Sequence, residues 1–115
     1  MGKQENIIQK QAIDYLTVRG WKVYRINNGA VYNKRADAWI FHGTAGVPDL
    51  YAMKEGMPVL WVECKVGKNK PSPYQVEFME LAKMTLNGWA VIIHNLDDLI
   101  EAERGIIGLF KINFK

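Results

Sequence analysis

Residues 46–67 read Gly46-Val-Pro-Asp-Leu-Tyr-Ala-Met-Lys-Glu-Gly-Met-Pro-Val-Leu-Trp-Val-Glu-Cys-Lys-Val-Gly67. Two apolar segments, Asp49–Met53 and Val59–Val66, flank the turn residues Lys54–Pro58. The pattern predicts an antiparallel hairpin. Side chains alternate along a strand, so Leu60, Val62, Cys64 and Val66 share one face and Val59, Trp61, Glu63 and Lys65 the other. Glu63 and Lys65 therefore point the same way, roughly 7 Å apart at ~3.3 Å per residue. Cys64 points oppositely, into the core. Charges inside an otherwise apolar strand are costly unless they are paired or bind something.

The length of the connection decides what they meet. Five residues, 54–58, pair Met53 with Val59 and bring Asp49 directly opposite Glu63. Directly opposed residues have Cβ atoms about 4.5–5.5 Å apart. Three connecting residues would leave the two acids diagonal on one face, and four would send them to opposite faces. Two carboxylates that close repel unless a cation lies between them. Hard oxygen ligands suit Mg²⁺ or Mn²⁺, with the backbone carbonyl of Cys64 as a third donor. Lys65 can then orient an attacking water or offset charge on a phosphate. A cross-strand salt bridge between Lys65 and the acids is the plainer alternative.

Outward from the hairpin, residues 3–19 read as a helix with Ile8, Ala12, Tyr15 and Leu16 on one face and Gly20 as its C-terminal cap. Trp21–Ile26 reads as a strand ended by the turn Asn27-Asn28-Gly29. Residues 30–37 are ambiguous. Ala38–Phe41 is a short strand or the lead-in to the next one. Ser72, Pro73 and Gln75 mark a helix start with a capping box. That helix is expected to reach about Asn87, with Phe78, Met79, Leu81, Ala82 and Leu86 as its apolar face. Trp89–His94 reads as a strand covered on both faces. Asn95 caps a short acidic helix over 96–104, and residues 107–114 suggest a final edge strand. The strand–helix–strand crossover implies a parallel pair. The fold class is α/β, a mixed sheet flanked by helices, in one domain over residues 1–115.

Composition narrows the function. Apolar residues make up 49% of the chain, enough for a core. No apolar run approaches the ~20 residues of a membrane span. The start has no apolar leader segment, and Cys64 is the one cysteine. A reduced, cytoplasmic protein is expected. The formal net charge is +3 and the pI about 9.0. Residues 15–76 carry nine Lys or Arg against four acids, whereas residues 77–104 carry two against six. The stretch 66–76 has no acid. One side of the molecule is expected to be basic, which suits nucleic acid.

Pro48-Asp49 followed by Glu63-Cys64-Lys65 resembles the motif of the PD-(D/E)XK nucleases. More narrowly, the chain resembles the small stand-alone VRR-NUC nucleases of phages and bacteria. The likeness runs through the first helix with Glu5, the Arg25-Ile26-Asn27-Asn28-Gly29 turn, Gly46–Leu50, Val62–Lys65, Ser72–Gln75 and Asn87-Gly88-Trp89. It implies a restriction-endonuclease-like core of order α-β-β-β-α-β and Mg²⁺- or Mn²⁺-dependent hydrolysis of phosphodiester bonds. It makes Asp49 and Glu63 metal ligands and Lys65 the catalytic lysine, with Glu5 and Gln75 at further family positions. It implies a homodimer acting on branched DNA such as a four-way junction, since two symmetric sites suit two cuts.

Two roles stay open for Glu5: an approach to the metal, or a first-turn acid favoured by the helix dipole. Gln75 can cap its helix or assist water or phosphate. Lys68 and Lys70 are candidates for the phosphate backbone, with Arg25, Lys34 and Arg35 extending that surface. Tyr32 and Trp39 lie near these bases as candidates for stacking, although core packing suits Trp39 better. His42 and His94 have no metal-ligand spacing and read as core or surface residues. Phe110, Ile112 and Phe114 make the segment 108–115 a candidate dimer strand or an edge strand of its own sheet. Rival functions are a restriction-type or end-processing nuclease, a catalytically silent nucleic-acid-binding module, and a structural domain whose charges merely pair.

Overall fold

The computed structural model describes residues 3–26, 30–41 and 45–111. In chain order the elements are α1 (Lys3–Val18), β1 (Lys22–Arg25), β2 (Ala30–Asn33), β3 (Ala38–Phe41), β4 (Leu50–Met53), β5 (Val59–Cys64), α2 (Pro73–Met84), β6 (Gly88–Ile93) and α3 (Leu96–Lys111). A four-stranded sheet has the order β1-β4-β5-β6. β1, β4 and β5 are antiparallel neighbours, and β5 and β6 are parallel. The mixed sheet and the α-β-β-β-α-β core are those expected.

The alternation of side chains sorts the helices onto two faces. Leu50, Ala52, Leu60, Val62 and Cys64 point to one side, where they bury against Ala12 and Leu16 of α1 and Leu99 and Ile106 of α3. Each fully buried Leu contributes about 1.5–3 kcal/mol by leaving water. On the other side Trp61 packs with Phe78, Met79 and Ala82 of α2 and with Ala90 and Ile92 of β6. An aromatic row crosses that face. Tyr24 stacks on Tyr51 at 5.0 Å, Tyr51 meets Trp61 at 5.3 Å, and Trp61 meets the Phe78 ring edge-on at 4.9 Å.

Gly20 ends α1 as its position suggests. Its φ of +93° is the left-handed conformation that glycine adopts most easily. The N–H of Gly20 donates to the Thr17 carbonyl and that of Trp21 to the Leu16 carbonyl, which satisfies the last turn and swings the chain into β1.

Two expectations are corrected and one open reading is resolved. Residues 107–111 are not an edge strand, because α3 continues to Lys111. Leu96, Leu99, Glu103, Ile106 and Phe110 recur at spacings of three and four and face the core, and this stripe overrides the period-two pattern of the tail. Gly105 and Gly108 lie on the exposed face of the helix, where each costs about 1 kcal/mol relative to Ala. The rest of the candidate dimer strand, 112–115, lies outside the described residues. Second, α2 ends at Met84. Thr85 turns extended, and its hydroxyl and N–H both donate to the Ala82 carbonyl. Leu86 is consequently 94% exposed and Leu81 62%, so neither belongs to the buried face. Third, the segment after residue 29, ambiguous in the sequence, is a hairpin, and of the two readings of Ala38–Phe41 the short strand holds. β2 and β3 pair with each other in a separate two-stranded sheet. Asn33 accepts the N–H groups of Arg35 and Ala36 at its tip. The Asn27-Asn28-Gly29 turn lies outside the described residues.

Candidate active site

The connection between β4 and β5 has the five residues Lys54–Pro58, closed by an N–H of Met57 on the Lys54 carbonyl. Leu50 faces Val62, Tyr51 faces Trp61 and Ala52 faces Leu60. One step further along this register sets Asp49 opposite Glu63, as the loop length requires. The Cys64 N–H donates to Asp49 Oδ2 at 2.9 Å, which fixes the carboxylate across the end of β5. The Ile26 N–H donates to the Asp49 carbonyl at 2.8 Å and ties the same residue to the end of β1.

Gly46 explains how this loop meets α2. Its φ is +92°, and a Cβ there would lie 2.4 Å from the Tyr74 carbonyl oxygen and 2.7 Å from its carbon. No side chain fits. The loop carrying Pro48 and Asp49 is thereby pressed against the first turn of α2, where Gln75 sits.

Glu63 is 3% exposed. Its Oε2 accepts from Gln75 Nε2 at 2.7 Å and lies 3.4 Å from Lys65 Nζ. Its Oε1 is buried with no hydrogen-bond partner. Burial, then the charge and hydrogen bonding of the Asp49 carboxylate, push the Glu63 carboxyl from 4.5 up to about 8, against the opposing pull of Lys65. The Cys64 thiol points into the core and is pushed up by burial first, then by the charges of Asp49, Glu63 and Glu5. It is no nucleophile.

Gln75 takes the capping role expected of it and also holds Glu63. Its Oε1 accepts the Ser72 N–H and its own N–H donates to Ser72 Oγ, the expected capping box. With its oxygen held there, its Nε2 is turned onto Glu63. The helix cap thus orients the acid, a link that neither motif reveals alone.

Asp49, Glu63, Lys65 and Gln75 are therefore brought together. Glu5, half-buried in the first turn of α1, is near enough for its charge to act on Cys64. Among the described residues, however, no three acids, histidines or cysteines converge as a ligand group. Lys68 and Lys70 are exposed on the loop that leaves β5. Arg25 is exposed at the end of β1, and its Nη2 is 3.5 Å from Asn6 Oδ1. Lys34 and Arg35 are exposed at the tip of the separate β2–β3 ribbon, not on the sheet that carries the acids. Tyr32 on that ribbon donates to the Asp37 carboxylate. His94 is on the surface, with Nδ1 3.5 Å from Asp98 Oδ2. His42 and the side chain of Trp39 lie outside the described residues.

No family model and no curated protein matches the chain. A solved structure described as a "VRR_NUC domain" is similar to it, with 22% sequence identity and a TM-score of 0.64 over 87% of this chain and 97% of that one. The chain has the fold of that domain.

Proposed function

We propose that this chain is a metal-dependent endonuclease of the VRR-NUC kind, hydrolysing phosphodiester bonds of branched DNA, four-way junctions foremost, as a cytoplasmic homodimer. One observation carries the reading. Glu63 is buried with an orphaned oxygen, faces Asp49 across the hairpin and has an ammonium group beside it. A buried carboxyl that faces a second carboxylate and leaves one oxygen without a donor is costly to ionise, and it fits a site completed by a cation. The similarity of fold to a VRR_NUC domain supports the same conclusion.

The donor set fits a small hard ion. Asp49 and Glu63 would hold it, with the Cys64 carbonyl as a further oxygen and Glu5 as an outer acid. Mg²⁺ suits so few carboxylates, because it keeps several waters and takes phosphate oxygens as ligands, and Mn²⁺ can substitute. Bound there, the ion would supply a Lewis acid and an acidified water. The remaining work falls to the chain. Cys64 N–H and Gln75 Nε2 hold the two carboxylates in fixed orientations. Lys65 Nζ donates to a phosphate oxygen and offsets the negative charge that grows in the transition state. Lys68 and Lys70 follow on the same chain segment and hold the flanking backbone, with Arg25, Lys34 and Arg35 as further contacts.

No helix among the described residues is long and apolar enough to cross a membrane. The test is incubation with a labelled four-way junction, a flapped duplex and a linear duplex, in Mg²⁺ and in EDTA. Metal-dependent resolution of the junction into nicked duplexes is expected. Cutting of flaps or ends alone would reassign the substrate to an end-processing role. Binding without cutting in either Mg²⁺ or Mn²⁺ would overturn the enzyme.

A further inference from the structure

The aromatic row lies on the face of the sheet that carries Asp49 and Glu63. Phe78, Trp61, Tyr51 and Tyr24 follow one another with ring centroids 4.9, 5.3 and 5.0 Å apart. One end of the row is closed, because α2 packs over Trp61. The other end is open. β1 is an edge strand of the four-stranded sheet, and Tyr24 is 36% exposed there. Its ring is inclined by 17° to that of Tyr51, so one ring face is taken and the exposed part lies away from Tyr51.

The strand register sets this open end beside the acids. Tyr24 faces Tyr51 and Lys22 faces Met53 across β1 and β4. Alternation puts all four on the side of Asp49 and Glu63. Tyr51 is two residues from Asp49, roughly 7 Å, and β1 lies one strand further over, so Tyr24 and Asp49 are about 8 Å apart by strand geometry. That is about two steps of ~3.4 Å along a nucleic-acid strand. β1 itself, Lys22-Val23-Tyr24-Arg25, has two exposed cations and no acid. An exposed aromatic ring among cations is the combination that holds unpaired nucleic acid.

We propose that Tyr24 is a stacking platform for one unpaired base of the DNA strand entering the site, with Lys22 on an adjoining phosphate. Every base has a π-face, so the platform is indifferent to sequence. A base inside a duplex is already stacked on both sides. Only one freed at a branch point can extend the row, and the platform thereby favours branched DNA over plain duplex. The inference deepens the nuclease reading and rests on it only in taking the base to belong to the strand that is cut.

The test is a titration in EDTA with a short oligo-dT carrying one central 2-aminopurine, whose fluorescence falls when it stacks. The natural chain and Tyr24→Phe should both bind with quenching. Tyr24→Leu should lose the quenching and bind about 5- to 150-fold more weakly, the worth of one stacked base. Lys22→Gln should lower the slope of log affinity against log salt by about 0.7, one phosphate of a single strand. A tyrosine pair that only stiffens the sheet would lower the melting temperature of Tyr24→Leu and leave its quenching intact. That result, or a salt slope unmoved in Lys22→Gln, overturns the platform. A chain that cuts DNA with quenching indifferent to Tyr24 sinks this inference alone. One that quenches through Tyr24 yet never cuts sinks the nuclease alone.

Discussion

Glu63 and Glu103 are the acids that the described fold buries, at 3% and 1% exposure, and their surroundings are opposite. Glu103 of α3 accepts from Tyr15 at 2.8 Å, from Arg19 Nε at 3.0 Å and from Trp21 Nε1 at 2.7 Å. Both oxygens are engaged, and the donors knit α1 and the start of β1 to α3. Glu63 has one amide, an ammonium at 3.4 Å, an opposing carboxylate and a bare oxygen. A buried acid with all its donors present is a structural tie. One held in place but left incomplete is suited to receive a ligand, and proximity to Asp49 is what makes a cation the ligand proposed. The contrast separates the two glutamates where burial alone does not.

The largest expected effects test this division. Asp49→Ala, Glu63→Ala and Lys65→Ala should each lower metal-dependent cleavage by about 10³-fold or more, since on the proposed mechanism each removes a group that meets charge in the transition state. Circular dichroism and melting should show a folded chain in all three. Full activity in Asp49→Ala would end the mechanism. Glu103→Ala should do the reverse. Stranding the Trp21 and Tyr15 donors and the Arg19 charge should cost about 3–5 kcal/mol in denaturant unfolding. Cleavage below the melting temperature should persist. An equal loss of activity and stability in both glutamate variants would erase the distinction.

The two sites also differ in how far the sequence reveals them. Asp49, Glu63 and Lys65 are close in the chain. A five-residue connection and a period of two suffice to place the acids face to face, and Ser72-Pro73 announces its helix by local chemistry. Glu103 is separated from its donors by 82–88 residues, so nothing near it marks it as other than one more acid on a polar helix. The length of α3 is hidden for a related reason: tertiary burial of Ile106 and Phe110 overrides the period-two pattern of the tail. Gly46 reads as an ordinary turn residue until Tyr74, far along the chain, is seen to occupy the space beside it.

Smaller effects refine the position of Glu63. Gln75→Leu removes the amide that holds Oε2 and half of the capping box. On the proposed mechanism that amide orients a metal ligand, and such a loss typically lowers affinity or activity by about 10–100-fold. The loss should fall on activity at limiting Mg²⁺ and be partly recovered at higher Mg²⁺. Ser72→Ala weakens the cap alone, so about 1 kcal/mol of stability and little activity should go. A Gln75→Leu variant no worse in cleavage than Ser72→Ala would reduce Gln75 to a cap.

The gentlest probe is pH, without metal. The Glu63 carboxyl is raised from 4.5 to about 8 in the folded chain by burial and by Asp49. Between those values the folded state holds a proton that the unfolded state has released. Stability from this group is therefore complete below 4.5, declines as pH rises, and is gone once pH passes about 8. The slope in that window should approach, and not exceed, about 1.4 kcal/mol per pH unit, the value for one proton. Glu63→Gln should flatten this contribution while retaining a folded chain, because the amide carries no charge to bury. Mg²⁺ should oppose the decline at the alkaline end, since it binds the ionised pair and competes with the proton. Denaturant unfolding in EDTA across the window reads all three. Parallel profiles for the natural chain and Glu63→Gln would mean that the bare oxygen carries no stored electrostatic cost, and the case for a cation beside it would lose its physical basis.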